Sequence, residues 1–429
     1  MSKENVTVLV GLQWGDEGKG RMVDYLAQDV DIVARYQGGN NAGHTVVNEF
    51  GTFKLHLIPS GIFNPNVINI LGPGMVIDIE AMSEEIADLD KSGISTKNIL
   101  LSDRATVTFP YHRLEDNLEE DRLGAGAFGS TRRGIAYAYG ERYMKKSIQV
   151  GELLYPDHLK KRLRGIIEFK NLLIKEVYKS DEIINADEVI DWALTFGEKI
   201  KHYICDTTKV LEKASAENKR ILFEAQLGSL RDIYYGIYPY TTSSCTLASF
   251  APAGGGLFNR RIDKVIGVMK AFSTCVGSGP FVTEMSEKEA GELREIAYEY
   301  GAATGRPRRI GHFDAVASRY GAMVQGTDEI AITKVDSLSG LKKLFICTEY
   351  EVDGYLTKDF PLTPALEIAK PKYIEMEGWS EDITKCRKFD ELPAAAQLYL
   401  SKIQELVGYK IKYISVGPER ESLILMNNE

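Results

Sequence analysis

Apolar and polar residues alternate along the chain with two periodicities, one typical of strands and the other of helices. Short apolar runs that predict strands lie at Val6–Val10, Asp31–Tyr36, Phe53–Ile58, Val67–Leu71, Arg220–Glu224, Lys264–Phe272, Glu329–Thr333, Lys343–Tyr350 and Lys410–Ser415. Apolar residues at helical spacing predict helices at Arg21–Gln28, Glu80–Lys91, His158–Lys179, Ala186–His202, Ser286–Tyr300, Ala315–Gly321 and Leu392–Leu406. Strands and helices that alternate in this way favour an α/β fold with an open, mostly parallel central sheet and flanking helices.

The distribution of these elements predicts the domain organisation. We expect residues 1–429 to form one large α/β domain, in which 111–219 is a helical insertion because its periodicity is predominantly helical. Ligands of a parallel sheet bind beyond the carboxyl ends of its strands. The polar or glycine-rich loops that matter for function are therefore 11–20, 37–45, 301–309 and 333–336.

Composition narrows the class of protein. The chain has 429 residues, of which 44% are hydrophobic and 26% charged, as in ordinary globular proteins. Its formal net charge of -9 argues against a protein that binds nucleic acid by neutralising phosphates. No apolar run approaches the length of a membrane span, and the five scattered cysteines fit reduced thiols. We expect a cytoplasmic protein with neither nucleic acid nor membrane as a partner.

The segment Gln13–Gly20, which reads Gln-Trp-Gly-Asp-Glu-Gly-Lys-Gly, follows the first predicted strand and is similar to a Walker phosphate-binding loop. Gln13 stands where that loop has its first glycine, and Gly20 where it has the hydroxyl that holds Mg²⁺. Backbone N–H groups and Lys19 can still bind phosphate, which predicts a P-loop-like nucleotide-binding architecture. Asp16 is the first candidate for both metal binding and catalysis.

Two further loops carry residues suited to a nucleotide. Thr333-Lys334-Val335-Asp336 ends a predicted strand, and a carboxylate there can accept hydrogen bonds from both N1–H and the exocyclic amine of guanine. Alone this tetrapeptide is more often an exposed strand end, but a phosphate loop in the same sheet favours a guanine site. The segment Ser415-Val416-Gly417-Pro418 either packs against the same guanine base or is a simple turn.

His44 lies beside the small residues Asn41-Ala42-Gly43, which leave room for a ligand. A single histidine is usually structural. Since Asp16 and His44 lie on loops of neighbouring predicted strands, an acid/base pair across one pocket is the functional alternative.

Three polar loops each have a functional and a structural interpretation. Ala302–Arg309 places three arginines around Pro307, and their density favours an anion clamp over a solvated turn. Gly129–Gly134 combines hydroxyls, glycines and cations, so it is either an anion site or a flexible basic loop. Tyr238–Ser244 is rich in hydroxyls and is either a strand edge or a phosphate contact.

Together, several of these segments resemble the signature segments of the adenylosuccinate synthetase family. They occur in the family's order and are Gln13–Gly20, Asn41–Thr45, Tyr238–Ser244, Ala303–Arg306 and Thr333–Asp336. The resemblance implies a GTP-dependent ligase that joins IMP to L-aspartate through a 6-phosphoryl-IMP intermediate, the first step of AMP biosynthesis from IMP. It also implies Mg²⁺ as cofactor, GTP as co-substrate, and a homodimer whose IMP site is completed across the interface.

The resemblance also implies roles for individual residues. The implied catalytic residues are the base Asp16, the acid His44, and Lys19, and the implied Mg²⁺ ligands are Asp16 and the carbonyl of Gly43. The implied GTP contacts are Gly15, Asp16, Glu17, Gly18, Lys19, Gly20, Arg21, Gly43, His44, Thr45, Arg308, Lys334, Val335, Asp336, Ser415, Val416 and Gly417. The implied IMP contacts are Asp16, Glu17, Gly18, Lys19, Asn41, Ala42, Gly43, His44, Thr131, Lys145, Gln226, Leu227, Thr242 and Arg306. The implied aspartate contacts are Ala302, Ala303, Thr304, Gly305, Arg306, Pro307 and Arg308.

Three positions depart from the family pattern. Arg132 stands where the family has glycine, and Lys145 where it has an arginine that reaches the IMP site of the partner subunit. Leu227 stands where a glutamine meets the purine, which makes Gln226 the candidate to replace that glutamine. These changes bear on nucleotide specificity rather than on the chemistry.

Other functions have weaker support in the sequence. A ligase for a 2-amino or deoxy purine is disfavoured by Asp16, because a bulkier base edge would need room there. A GTP-binding regulatory protein is disfavoured because Gln13 and Gly20 replace the glycine and hydroxyl of a switch-protein loop. An inactive paralogue is disfavoured because the side chains that the chemistry needs are present.

Overall fold

A computed structural model of the chain describes residues 4–41, 43–301 and 305–426. Its β-strands are β1 (Val6–Gly11), β2 (Ile32–Arg35), β3 (His44–Asn48), β4 (Gly51–Leu55), β5 (Ile68–Leu71), β6 (Val76–Ile77), β7 (Ile99–Ser102), β8 (Thr106–Val107), β9 (Ile204–Cys205), β10 (Ile221–Glu224), β11 (Lys264–Lys270), β12 (Ser273–Cys275), β13 (Arg309–Gly311), β14 (Phe313–Asp314), β15 (Glu329–Thr333), β16 (Lys343–Val352), β17 (Tyr355–Thr357), β18 (Lys370–Glu377), β19 (Lys410–Ser415) and β20 (Leu423–Leu425). Its α-helices are α1 (Lys19–Leu26), α2 (Ile79–Lys91), α3 (Pro110–Leu123), α4 (Ile135–Met144), α5 (Pro156–Glu176), α6 (Ala186–Ile200), α7 (Thr207–Ala216), α8 (Ala251–Gly255), α9 (Glu287–Ala297), α10 (Ala315–Gln325), α11 (Thr363–Leu366) and α12 (Ala394–Val407).

Ten strands form one central sheet, in the order β20-β19-β15-β11-β1-β10-β2-β5-β7-β9. Neighbouring strands are parallel except for the pair of β19 and β20, which is antiparallel. The predicted open, mostly parallel sheet with flanking helices is therefore confirmed. The β1 sequence VTVLVG is buried almost throughout, as expected for a strand in the middle of a sheet that is covered on both faces.

The sheet order brings the predicted functional loops together. β1 lies between β10 and β11, and β2 and β15 are the next strands outward. Because these five strands run parallel, the loops after them meet at the carboxyl edge of the sheet. These loops include Leu12–Gly18 after β1 and Lys334–Asp336 after β15.

Two strands show how the observed elements differ from the sequence prediction. The run Phe53–Ile58 is observed as β4, shifted toward the turn at Glu49–Phe50, and it pairs with the unpredicted β3 across that turn. The unpredicted β18 pairs with β16 over eight residue pairs, although its sequence KPKYIEME is mostly polar. Its partner strand, rather than its own apolar content, places it in a sheet.

Helices α3 to α7 make 110–216 predominantly helical, as expected, but the region also contributes β9 to an edge of the central sheet. Its buried residues Leu159, Leu163 and Ile190 share one apolar cluster with Leu71 and Leu101 of the sheet. The region therefore packs on the sheet. Its description as an insertion at 111–219 within a single domain 1–429 stays a prediction. Among the described residues, no helix has the length and apolar character needed to cross a membrane.

Candidate active site

A cleft of about 450 Å³ opens beyond the carboxyl edge of the central sheet. Seven of the predicted site residues line it, from separate segments of the chain: Asp16, Asn41, Gly43, Thr131, Leu227, Thr242 and Arg306. The walls combine aromatic and aliphatic side chains with these polar groups, which is typical of small-molecule sites.

The loop between β1 and α1 is shaped by its own side chains. The carboxylate of Glu17 accepts hydrogen bonds from the backbone N–H of Gln13 at 3.1 Å and of Gly15 at 2.9 Å, and it is fully buried. Lys19 forms an ion pair with the same carboxylate, at 2.6 Å. In this structure the Glu17 and Lys19 side chains therefore stabilise the loop.

Gln13, at the position of the first Walker glycine, joins this loop to two other elements. Its Oε1 accepts from the backbone N–H of Lys270 at 3.0 Å, and its Nε2 donates to the hydroxyl of Ser318 at 3.1 Å. Lys270 ends β11 and Ser318 lies in α10. The side chain that breaks the Walker pattern thus connects the loop to the neighbouring strand and to a helix.

Asp16 lies at the exposed end of a chain of ionic side chains. Its Oδ2 is 2.9 Å from Nε of Arg308, whose guanidinium also forms an ion pair with Glu299. Glu299 in turn binds Nζ of Lys270, at 2.7 Å from each carboxylate oxygen. Asp16 has φ 59°, a left-handed backbone that aspartate tolerates at a cost and that is often found at functional sites.

His44 packs beneath the loop rather than on the cleft wall. A Cβ at Gly20 would lie 2.9 Å from Cδ2 of the His44 ring, so the two residues are in direct contact. Nε2 of His44 is 3.3 Å from the buried carboxylate of Glu224, without hydrogen-bond geometry. Burial holds the pKa of His44 well below its usual value, and the positive charges of Arg35 and Lys19 act in the same direction. The imidazole is therefore neutral in the absence of ligand.

The predicted guanine residues lie beside the phosphate loop. Thr333 Oγ1 donates to the carbonyl of Glu17 at 2.6 Å, which joins the end of β15 to the loop. Lys334 has a left-handed backbone, and its Nζ donates to the carbonyl of Ala297. Val335 is buried, and burial raises the pKa of Asp336.

The loop after β19 is joined to α1. Arg21 donates from its guanidinium to the carbonyls of Glu419 and Ser422. Ser415 Oγ donates to the carbonyl of Gly417 at 3.1 Å, and Val416 N donates to the carbonyl of Ser422. The predicted contacts Arg21 and Ser415–Gly417 are thus neighbours, with Arg21 holding the loop.

The loop that carries Thr131 is held by α3. The carboxylate of Glu120 accepts hydrogen bonds from the backbone N–H of Phe128, Gly129 and Ser130, at 3.0 to 3.1 Å. Thr242 lies on the same cleft, and its backbone N–H donates to the carbonyl of Arg231.

The side chain of Gln226 is not directed into the cleft, contrary to its predicted role as an IMP contact. Its Oε1 accepts from the N–H of Gly39 and its Nε2 donates to the carbonyl of Gly39, both at 2.9 Å. Leu227 lines the cleft instead, with φ 61°. A backbone in this conformation turns successive side chains in different directions, which the sequence does not reveal.

Lys145 lies away from this cleft. It lines a separate cavity of about 340 Å³ together with Arg142 and Arg162. Within one subunit the structure therefore does not bring Lys145 to the other predicted IMP contacts.

The predicted aspartate loop is partly described. Gly301 N donates to the carbonyl of Arg306 at 2.8 Å, and Tyr300 forms a β-bridge with Pro307, so the two arms of the loop pair. Gly305 has φ 66°. The predicted contacts Ala42, Ala302, Ala303 and Thr304 lie outside the described residues. Thr45 is exposed and pairs with Lys54 in the β3–β4 hairpin.

The donors near Asp16 fit Mg²⁺. Mg²⁺ in nucleotide sites is held by one or two carboxylates and by substrate phosphates, with waters completing an octahedron. Asp16 and Gly43 line the same cleft and offer a carboxylate and a carbonyl oxygen. The described residues contain no cluster of three or more acidic, histidine or cysteine side chains that could hold a metal alone. A nucleotide-dependent Mg²⁺ site matches this set of donors.

Sequence reasoning missed Lys270, Glu299 and Glu120. Lys270 is a single charge within the apolar run 265–272, and that placement is a signal for a buried partner. Glu299 and Glu120 lie among other charged residues near helix ends, where nothing in the sequence separates a buried carboxylate from a solvated one.

A sequence model of the family described as "Adenylosuccinate synthetase" matches residues 8–424. "Adenylosuccinate synthetase 2" of Pseudoalteromonas translucida (strain TAC 125) is 52% identical over 97% of this chain and 99% of its own length. "Adenylosuccinate synthetase" of Caldanaerobacter subterraneus subsp. tengcongensis is 44% identical over 99% of this chain and 100% of its own.

Two solved structures are similar to this one. The fully ligated adenylosuccinate synthetase from Plasmodium falciparum superposes with a TM-score of 0.92 at 33% identity, covering 99% of this chain and 100% of that chain. A cyanophage S-2L succinoaminodeoxyadenylate synthetase, bound to dGMP and dATP, superposes with a TM-score of 0.60 at 19% identity, covering 99% and 96%. The second likeness concerns the fold alone.

Proposed function

The chain belongs to the adenylosuccinate synthetase family and is thus a ligase that joins IMP to L-aspartate with GTP, in AMP biosynthesis. From this premise we propose that Asp16 is the catalytic base, that the cleft around it holds IMP and L-aspartate, and that GTP binds between its loop and the residues after β15. One observation carries this proposal: Asp16 lines the same cleft as Thr131, Thr242 and Arg306. The loop of Asp16 is also joined, through Thr333, to the end of β15, where the predicted guanine contacts begin.

In the first step Asp16 takes the N1 proton of IMP, O6 attacks the γ-phosphorus of GTP, and the bond to GDP breaks. Asp16 meets the requirement for a base, since it is a partly exposed carboxylate on the cleft wall. Lys19, the backbone N–H groups of the loop and His44 stabilise the charge that develops on the phosphoryl oxygens. His44 is neutral before GTP binds, and phosphate charge nearby raises its proton affinity, so it becomes an acid on binding.

In the second step the amine of L-aspartate attacks C6 and inorganic phosphate leaves. Arg306 lines the cleft at the paired arms of the 301–307 loop, where a guanidinium can bind the aspartate carboxylates. Phosphorylation of O6 makes this step possible, since a carbonyl oxygen is otherwise a poor leaving group.

Asp16 and the Gly43 carbonyl are the residues that would hold Mg²⁺. When bound, the ion neutralises phosphate charge and orients the γ-phosphoryl group for in-line transfer. If Asp16 exchanges its ion pair with Arg308 for this role, the guanidinium becomes free to bind phosphate oxygens of GTP.

The working form is a homodimer. Tyr143, Tyr234 and Tyr238 are 72%, 67% and 65% exposed, an unusual aromatic density for a free surface. Tyr143 contacts Tyr234 and lies two residues from Lys145, while Tyr238 lines the cleft, so this surface runs from Lys145 to the cleft rim. A second copy seated on it brings its Lys145 to the IMP site. The five free cysteines support the cytoplasm as its compartment.

The test is absorbance-monitored turnover with IMP, GTP, Mg²⁺ and L-aspartate, omitting each in turn. Succinyl-purine formation should need all four and should be lost in Asp16→Asn, while the exposed carboxylate variant Asp390→Asn keeps it. GTP hydrolysis that continues without IMP and aspartate would overturn the assignment of the cleft.

A mixing experiment tests the interface. Asp16→Asn and Lys145→Ala subunits should each be inactive or weak alone, and unfolding and refolding them together should restore activity. The hybrid then contains one site with both residues intact. Failure of the mixture to exceed the sum of the separate variants would contradict a shared site.

A further inference from the structure

Glu299 and Lys270 form a buried ion pair next to the cleft whose chemistry the reaction steps above do not use. Both side chains are 0 to 1% exposed. Nζ of Lys270 is 2.7 Å from each carboxylate oxygen of Glu299 and also donates to Thr274 Oγ1 at 2.7 Å. Burying two charges is costly, and pairs without a further role are often replaceable by apolar residues.

The pair connects the arginine-bearing loop to the central sheet. Lys270 is the last residue of β11, and Glu299 lies just beyond α9. The carbonyl of Glu299 accepts from the N–H of Arg308 at 2.9 Å, so Glu299 holds Arg308 through both backbone and side chain. The base of the loop is therefore fixed to the strand beside β1.

The two carboxylates that contact Arg308 meet different parts of its guanidinium. Glu299 binds Nη1, whereas Asp16 lies 2.9 Å from Nε. If Glu299 were removed, the guanidinium of Arg308 would be free to turn and bind Asp16 with two nitrogens, since bidentate arginine–carboxylate pairs are the stronger arrangement. With Glu299 bound to Nη1, Asp16 contacts Arg308 at Nε alone, and it can exchange this one contact for substrate or metal.

The charges of the four side chains balance. Lys270 and Arg308 are cations, and Glu299 and Asp16 are anions. Burial alone would raise the pKa of Glu299, but the charges of Lys270, Arg308 and Lys334 outweigh it and bring the pKa to about 2. Glu299 therefore stays ionised when Asp16 turns to substrate.

We propose that Glu299, fixed by Lys270, is a positioning residue that keeps Arg308 beside the Asp16 loop for GTP while Asp16 exchanges its contact with Arg308 for substrate and metal. This inference rests on the proposed roles of Asp16 and Arg308. Glu299 acts through Arg308 and touches no reacting atom.

The experiment is a double-mutant cycle on the Michaelis constant for GTP. Glu299→Gln should raise the KM for GTP by about tenfold, because a charge-assisted contact to Arg308 is weakened, and the KM for IMP should change little. In an Arg308→Ala background the same substitution should have no further effect on the KM for GTP.

A double variant tests the inference even if Glu299→Gln alone does not fold. Lys270→Met combined with Glu299→Gln leaves no unpaired buried charge, and it should show the same dependence on Arg308. Asp314→Asn is the matched control, a buried carboxylate away from the cleft, and should leave both KM values unchanged.

The outcomes separate the inference from the function it rests on. Equal effects of Glu299→Gln with and without Arg308 would overturn the inference and leave the role of Arg308 intact. No effect of Arg308→Ala itself on the KM for GTP would overturn both. If neither the single nor the double variant folds, the pair serves folding and the inference is wrong.

Discussion

Gly20 and His44 are in contact: a Cβ at Gly20 would lie 2.9 Å from Cδ2 and 3.0 Å from Cβ of His44. A Walker loop has serine or threonine at this position to hold Mg²⁺. Here the imidazole occupies that space, so the loop cannot carry the hydroxyl. The absence of the hydroxyl and the presence of the histidine are therefore coupled, and Asp16 is left as the candidate metal ligand of the loop.

Restoring the Walker residue should therefore damage the enzyme. Gly20→Ser pushes the His44 ring from its place, and a displacement of about 1 Å costs on the order of 100-fold in kcat. Steady-state kinetics with all substrates saturating measures this loss of kcat. Gly165→Ser, on a helix position with open space around it, is the control and should keep kcat. A fully active Gly20→Ser variant would show that His44 needs no fixed position.

The protonation of His44 predicts a pH effect on stability. Its pKa in the folded state lies below the usual value, so on acidification the unfolded state takes up the proton first. The free energy of unfolding should fall as pH drops below about 6.5, by up to about 1.4 kcal/mol per pH unit from this residue. Denaturant titrations of the protein and of His44→Asn should differ in that slope, whereas the exposed variant His158→Asn should follow the parent. Identical slopes for parent and His44→Asn would show that His44 is not held neutral.

Leu227 should limit recognition of the purine. Its side chain lines the cleft but offers no hydrogen bond, while Gln226 is committed to Gly39. Leu227→Gln adds an amide at the wall and should raise kcat/KM for IMP by roughly 2- to 10-fold, the value of one net hydrogen bond. Leu172→Gln, on an exposed helix position, is the control. A lower kcat/KM would mean that the apolar wall is itself required.

Asp336 should determine the preference for guanine. ITP lacks the exocyclic amine, so a carboxylate that accepts from this amine and from N1–H binds GTP better. Asp336→Asn should reduce the ratio of kcat/KM for GTP over ITP by roughly 10- to 100-fold, with little change in kcat at saturating GTP. An unchanged ratio would show that the guanine of GTP binds at another part of the sheet edge near β15.

The sequence pattern predicts much of the fold because the parallel strands are buried on both faces. Glu329–Thr333 and Lys410–Ser415 are observed with the predicted bounds, since each is an apolar run bounded by polar residues. β18 is not predictable in this way, because its polar residues form a strand only through pairing with β16.

The sequence by itself determined the family, the parallel sheet and the loops at its carboxyl edge, because residue order and hydrophobic period are local properties of the chain. Tertiary structure decided what each side chain does there. Gln13 connects the loop to β11, Gln226 turns to Gly39 while Leu227 lines the cleft, and Glu299 and Lys270 meet beneath Asp16. These partners lie far apart in sequence, and they meet because the parallel strands bring their ends to one edge of the sheet.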